Sequence, residues 1–409
     1  MGKAKATKAP DHPLEHRILL TVTMCLLAAG AVMVYSASSA RDLLAGGGDG
    51  TGYLLRYVGF GALGVVLMLV LSRRGLDTVR KATPLLLAIS FVLLLAVLLP
   101  GIGVEVNGAK RWIGAGAVGF QPSELAKFAL VLYAAELLGS KRRIRSIRSA
   151  APVTVVAGVM AMLVAVEPDL GTALVIAATT TALLVAAGVP LKHLAAVACI
   201  AVALIAIFAL LEPYRRARLT TFLDPWAHAG GAGFQSVQGQ IALGSGGLFG
   251  VGLGQSVQKI FYLPEAHTDF VLAVIGEEFG VLGVSVVLAL YGMLAWAGMR
   301  AARAAKGAYA KLLAAGVTSL ILCQAALNVF AVLGLAPLTG VPLPFISYGP
   351  SNLIVLLAAM GLLLNIAAGG SAHMRVLGGG RRAKSRAGGS SESGSASASR
   401  ARRAGTGRP

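Results

Sequence analysis

The sequence predicts an all-α polytopic membrane protein with about ten transmembrane helices, both termini cytoplasmic and a large extracytoplasmic loop between spans seven and eight. Three observations carry that expectation. Of 409 residues, 56% are apolar and only 13% charged, against about 25% charged in a soluble domain. The apolar residues gather in runs long enough to cross a bilayer. Lys and Arg then fill alternate gaps between those runs, as topology requires.

The elements follow in order. The first run, 18–38, comes after Lys3, Lys5, Lys8 and Arg17 and ends in Ser-Ala-Ser-Ser-Ala. That pattern mimics a signal peptide, but the run is near the ~20 residues of a span and longer than a signal core, so it reads as a retained first helix. Further runs lie near 57–72, 83–100, 124–139, 151–166, 171–187, 192–211, 269–298, 310–334 and 350–368. An even count puts both ends on one side. That side receives Arg73, Arg74, Arg80, Lys81, the cluster Lys141 to Arg148, then Arg300, Arg303, Lys306 and Lys311. Such a bias makes it cytoplasmic.

Three segments result: a cytoplasmic N-terminal stretch 1–16, a transmembrane domain 17–370, and a basic tail 371–409. The tail, of Gly, Ser, Ala and Arg, has almost nothing to bury and is expected to be disordered. The net charge of +19 therefore speaks for membrane lipids, and no basic patch interleaved with aromatics points to nucleic acid. Cys25, Cys199 and Cys323 each fall inside an apolar run without ligand spacing, so they are packing residues.

The loops opposite the basic clusters are not generic. One spans about 101–123, one about 212–268 and one about 335–350; long loops on a compact body carry function more often than not. Within the longest, Leu263-Pro264 breaks any helix, and Glu265, His267 and Asp269 follow at alternate positions before the eighth apolar run. An acid at a bilayer boundary is costly unless paired, hydrated or used, so Asp269 is the leading functional candidate. Glu124 and Lys127, three apart, share a helix face and are expected to pair. Asp169, in Glu167-Pro168-Asp169, suits either an N-cap of the sixth span or a site acid. Arg215, Arg216 and Arg218 form a basic cluster on the side where topology disfavours it, which suits lipid headgroups or a pyrophosphate. His267 lacks the repeated His or Cys of a dedicated metal site, whereas Asp269, Asp169 and Glu265 offer the hard oxygens a divalent ion takes. Glu277 and Glu278 lie deeper and suit either helix-packing hydrogen bonds or a polar cavity. The glycines of 244–254 sit in no strand–helix unit, so they let a loop pack tightly and are no nucleotide fingerprint.

Six segments resemble one family in order: NGAKRWI (Asn107–Ile113), FQPSELAK (Phe120–Lys127), EPDLGTA (Glu167–Ala173), Gly233–Gly254, SVQKIFYLPEAHTDFVLAVIGEE (Ser256–Glu278) and TGVPLPFISYG (Thr339–Gly349). They are similar to the SEDS (shape, elongation, division and sporulation) proteins, whose members include FtsW, RodA and SpoVE, over about residues 15–370. SVQKIFYLPEAHTDF looks most like the FtsW, cell-division branch.

The resemblance implies a peptidoglycan glycosyltransferase of the bacterial cytoplasmic membrane, acting at the division septum. It would polymerise lipid II, the undecaprenyl-pyrophosphoryl disaccharide-pentapeptide, by inverting transfer on the outer face. It implies Asp269 as the essential aspartate, and Glu124, Lys127 and Asp169 as cavity-lining polar residues. Arg111 and Trp112 match the RW of the preceding loop. A divalent cation (Mg or Mn), a class B penicillin-binding transpeptidase and other division proteins are implied as cofactor and partners. One departure stands out: Pro350-Ser351-Asn352 replaces the family's usual GSS, which puts the shape of that loop in question. Composition and topology leave two other functions open, a lipid II flippase and a non-catalytic division scaffold.

Overall fold

A computed structural model describes residues 13–44, 50–106, 109–114, 119–140, 147–192, 194–195, 221–231, 233–260 and 262–369. Helices α1 (Leu14–Leu44), α2 (Gly52–Arg73) and α3 (Leu76–Leu98) take the first three apolar runs. Helices α4 (Pro122–Ser140), α5 (Ile147–Val166) and α6 (Leu170–Ala186) take the next three. After a short 3-10 turn at Trp226–His228 come α7 (Phe234–Ser245), α8 (Val271–Ala304), α9 (Ala308–Val332) and α10 (Pro350–Ala367). Among the described residues six helices are long and apolar enough to cross a membrane: α1, α2, α3, α8, α9 and α10. The seventh expected span, 192–211, lies almost wholly outside the described residues, as do Arg215, Arg216, Arg218 and Cys199.

The expected helical membrane fold is borne out, and the structure adds two details within its loops. First, β1 (Gly103–Val106) and β2 (Ala109–Ile113) form an antiparallel hairpin, with Val104 opposite Trp112. The sequence signal was the dipeptide Asn107-Gly108, a combination favoured in two-residue hairpin connections. Second, the long connection before α8 is not all loop. It contains α7, whose glycines mask its helical pattern. The helix is held by packing: Gly239 lies so close to the Phe270 ring that a Cβ there would come within 2.6 Å.

Helices α9 and α10 are buried along most of their length, while α2 and α3 turn apolar faces outward. Close approach depends on small residues, as in helix pairs within lipid. Gly64 of α2 meets Leu357 of α10, and Gly361 of α10 lies on the backbone of Met68. Arg300 near the end of α8 bonds Glu15 at the start of α1 at 2.9 Å. The α1 N-terminus and the α8 C-terminus thus share one end of the bundle, and Asp269, just before α8, stands at the other.

Candidate active site

Asp269 is half-buried at the end of a turn running from Leu263 to Phe270. Its backbone carbonyl accepts a hydrogen bond from Asn328 Nδ2 (2.8 Å), which also donates to the carbonyl of Val341 (2.8 Å). One α9 side chain thus ties the aspartate's backbone to the loop before α10. In that loop Gly340 adopts a left-handed φ of 67°, and a methyl group there would sit 3.4 Å from Asp269 Oδ2. It would also lie 3.7 and 4.0 Å from the terminal nitrogens of Arg111. Carboxylate and guanidinium therefore converge over a residue that has no side chain to block them.

Arg111 comes from β2 and is also 4.0 Å from Asp169 Oδ2. Asp169 caps α6: Oδ1 accepts from the Thr172 amide (3.0 Å), and Oδ2 accepts from Thr172 Oγ1 (2.9 Å) and Gln121 Nε2 (3.0 Å). The cap reading of Asp169 is the one the geometry shows, and Arg111 lies beside the same carboxylate. Its neighbour Glu167 is buried with neither carboxylate oxygen hydrogen-bonded, and Arg111 Nε is likewise buried and unpartnered. Burial first, and the nearby Asp169 second, push the Glu167 carboxyl up to about 8; Arg111 opposes the rise. Trp112 lays its ring over Gly119, holding the hairpin against the entry to α4.

Deeper, the expected pair forms: Lys127 Nζ donates to Glu124 Oε1 at 2.9 Å and to Gln324 Oε1 at 3.0 Å. Asn352 Nδ2 donates to Glu124 Oε2 at 2.7 Å, and Gln324 Nε2 donates to the carbonyl of Pro342 at 3.0 Å. Gln324 and Asn328, four apart, are on one face of α9 and join this pair to the Asp269 loop. The Pro350-Ser351-Asn352 departure keeps its place in the network. Pro350 sits at the first turn of α10, where its missing N–H costs nothing, and Ser351 Oγ accepts from the Gln121 amide at 3.0 Å.

His267, Tyr53 and Tyr348 form a triangle of mutually tilted rings, with centroids 4.4 Å (His267–Tyr53), 5.7 Å (His267–Tyr348) and 5.1 Å (Tyr53–Tyr348) apart, and the His267 carbonyl accepts the Tyr348 amide at 2.9 Å. Arg56 lies 5.9 Å over Tyr53. Glu265, at φ 55°, accepts a bond from Thr268 Oγ1 (3.0 Å) within its own turn. Glu277 and Glu278 are packing acids: Glu277 accepts the Val257 amide (2.9 Å) and Ser256 Oγ, while Glu278 accepts Lys259 Nζ (2.7 Å) and Ser36 Oγ (2.7 Å). Sequence reading missed Tyr53, Glu167, Gln324 and Asn328. Two amides four apart inside an apolar run were the available sign for the last pair.

Among the described residues no group of three His, Cys, Asp or Glu is arranged to hold a metal. Asp169's oxygens are engaged by Thr172 and Gln121. A hard divalent ion held by the Asp269 carboxylate would replace contacts that carboxylate makes now, and would take its other oxygens from substrate phosphates and water.

The chain as a whole is similar to known proteins. A family model described as "Cell cycle protein", covering FtsW, RodA and SpoVE, matches residues 16–371. Stage V sporulation protein E of Bacillus subtilis is 39% identical over 352 residues, 85% of this chain and 96% of that protein. A probable peptidoglycan glycosyltransferase FtsW of Trichlorobacter lovleyi is 41% identical over 357 residues, 86% of this chain and 93% of its own. Among solved structures, a chain from work on the structural coordination of polymerization and crosslinking by a peptidoglycan synthase complex matches with a TM-score of 0.70 and 31% identity. The match covers 85% of this chain and 96% of that one. The rod shape determining protein RodA of Thermus thermophilus matches with a TM-score of 0.62 at 30% identity, covering 85% and 95%.

Proposed function

The chain belongs to the FtsW/RodA/SpoVE family of cell cycle proteins, and from that premise we propose that it is a peptidoglycan glycosyltransferase that polymerises lipid II for septal wall synthesis. The observation that carries the chemistry is the convergence of Asp269 and Arg111 over Gly340, at the mouth of a buried polar chain that ends at Glu124 and Asn352.

The 4-hydroxyl of an acceptor GlcNAc attacks the anomeric carbon of a MurNAc whose leaving group is undecaprenyl pyrophosphate. Asp269 accepts the hydroxyl proton as the new C–O bond forms. Arg111 supplies a fixed positive charge against the departing pyrophosphate, the kind of preorganised stabilisation that dominates such steps. Lys127 is turned to Glu124 and Gln324 and only 1% of its side chain is exposed, so it shapes the inner wall and leaves the pyrophosphate to Arg111. Among the described residues the second carboxylate beside Arg111, Asp169, is held by Thr172 and Gln121 and is not set as a nucleophile, which suits inversion. A divalent cation, Mg²⁺ or Mn²⁺, held by Asp269 would add charge for the phosphates. A class B penicillin-binding transpeptidase is the partner; the likeness to a chain of a peptidoglycan synthase complex supports it.

Asp269→Asn keeps shape and removes basicity. Purified with its partner and given lipid II, the variant is expected to lose roughly 10²-fold or more in polymer formation, the usual worth of a general base. Polymer at a near wild-type rate would overturn the assignment. Lipid II crossing vesicles without polymer would mark a transporter, and partner binding with neither activity a scaffold.

A further inference from the structure

We infer that residues 246–253, within the long connection before α8, form a re-entrant element seated in the hydrocarbon of the leaflet at the Asp269 end, with lipid acyl chains covering Leu248, Phe249, Val251 and Leu253. Depth is the first support. Trp296, half-exposed with the Arg300 guanidinium 4.8 Å over its ring, marks the interface at the far end of α8. A hydrocarbon core of ~30 Å measured back along the helix at ~1.5 Å per residue takes about 20 residues, reaching about residue 276. The helix leaves regular geometry at Gly280 (φ 64°, ψ −161°), so the break falls inside the hydrocarbon.

The second support is how the break is filled. Non-helical backbone is tolerated at that depth where it packs on protein and finds its hydrogen bonds there, and the two segments at the break pair with each other. Val281 and Leu282 donate their amides to the carbonyls of Gly247 (2.9 Å) and Leu248 (3.2 Å). In return Val251 and Gly252 donate to the carbonyls of Glu277 (2.9 Å) and Glu278 (3.0 Å). The fit leaves no room for side chains: a Cβ on Gly246 would lie 1.9 Å from the Gly276 carbonyl oxygen, and one on Gly250 2.1 Å from that of Glu278.

The third support is the sorting of side chains at one level. Ser256, Lys259, Glu277 and Glu278 are turned inward and buried, at most 3% exposed. Leu248 and Phe249 are 69% and 79% exposed, beside exposed Val251, Leu253, Val281 and Leu282. Polar inside and apolar outside is the arrangement of a lipid-facing surface; in water such a continuous apolar patch is a liability.

The proposal concerns the surface and stands whatever Asp269 does. The test uses full-length protein with Cys25, Cys199 and Cys323 replaced by Ser, reconstituted in phosphatidylethanolamine–phosphatidylglycerol vesicles. A nitroxide is placed at Phe249→Cys or, as a second variant, at Leu253→Cys. Val66→Cys on the outward face of α2 and Asp224→Cys serve as lipid and water references. Accessibility to molecular oxygen, which concentrates in lipid, is compared with accessibility to a water-soluble nickel chelate. Oxygen is expected to exceed nickel several-fold at 249 and 253, as at 66, with the reverse at 224. Nickel exceeding oxygen would show an aqueous loop, and low access to both would show a protein partner; either result overturns the proposal.

Discussion

Glu167 is held in its neutral form by burial and by Asp169, with its carboxyl pushed up to about 8. Between the ordinary carboxylate range and pH 8 the folded protein keeps a proton that the unfolded chain has released, so stability falls as pH rises, and the loss is complete above about 8. The slope is roughly 1.4 kcal/mol per pH unit. Glu167→Gln cannot ionise and should flatten the profile: its unfolding midpoint in detergent, read from pH 5 to 9, should lack the decline expected of the wild type. Lys127 poses the opposite problem. Lys127→Met leaves Glu124 buried with Asn352 as its remaining bond, which should cost about 3–5 kcal/mol. Lys127→Met with Glu124→Gln should restore most of that in a denaturation series. Glu124 and Lys127 were legible because their relation is local, three residues on one helix, and Asp169 because a cap is local too. The meeting of Arg111, Asp169 and Asp269 joins three distant segments; no spacing rule reveals it, and only family resemblance had grouped those residues.

At the scale of elements, the loop before α10 is placed by what touches it. Gly171, in the first turn of α6, lies against it so closely that a Cβ would meet the Thr339 carbonyl oxygen at 2.4 Å and Val341 Cγ2 at 2.6 Å. Gly171→Ala must move either helix or loop. An over-packed contact costs about 1–3 kcal/mol, which the fold should survive. Gly340 moves with the loop, and a displacement near 1 Å in a site can cost about 10²-fold in rate. The expected outcome is a protein that elutes and melts near the wild type yet polymerises lipid II at least about tenfold more slowly. A wild-type rate would show that the loop's position is not critical. The long apolar helices were legible because length and hydropathy suffice to reveal them. The break in α8 was not, since Gly280 resembles every other glycine of a membrane helix until the segment that fills the gap is known.

For the whole molecule, one buried triad joins α1 to the connection before α8 and to α8 itself, more than 200 residues along the chain. Lys259 Nζ bonds Glu278 Oε1 at 2.7 Å and Ser36 Oγ at 2.9 Å, linking the connection that leads to Asp269 with α8 and α1. Glu278 and Ser36 draw the Lys259 side chain inward, where it is only 3% exposed. Buried ion pairs add little net stability, because desolvation offsets attraction, but they penalise arrangements that separate the charges. Packing can replace the energy of such a pair without replacing its directionality. Lys259→Met alone should therefore destabilise by about 3–5 kcal/mol, leaving Glu278 uncompensated. Lys259→Met with Glu278→Met should melt within a few degrees of the wild type, yet polymerise more slowly, because the segment from Lys259 to Asp269 has lost the bond that fixes its register. If the double variant matched the wild type in both melting and polymerisation, the pair would have no part in placing Asp269. The site would then depend on Asn328 and the loop before α10 alone.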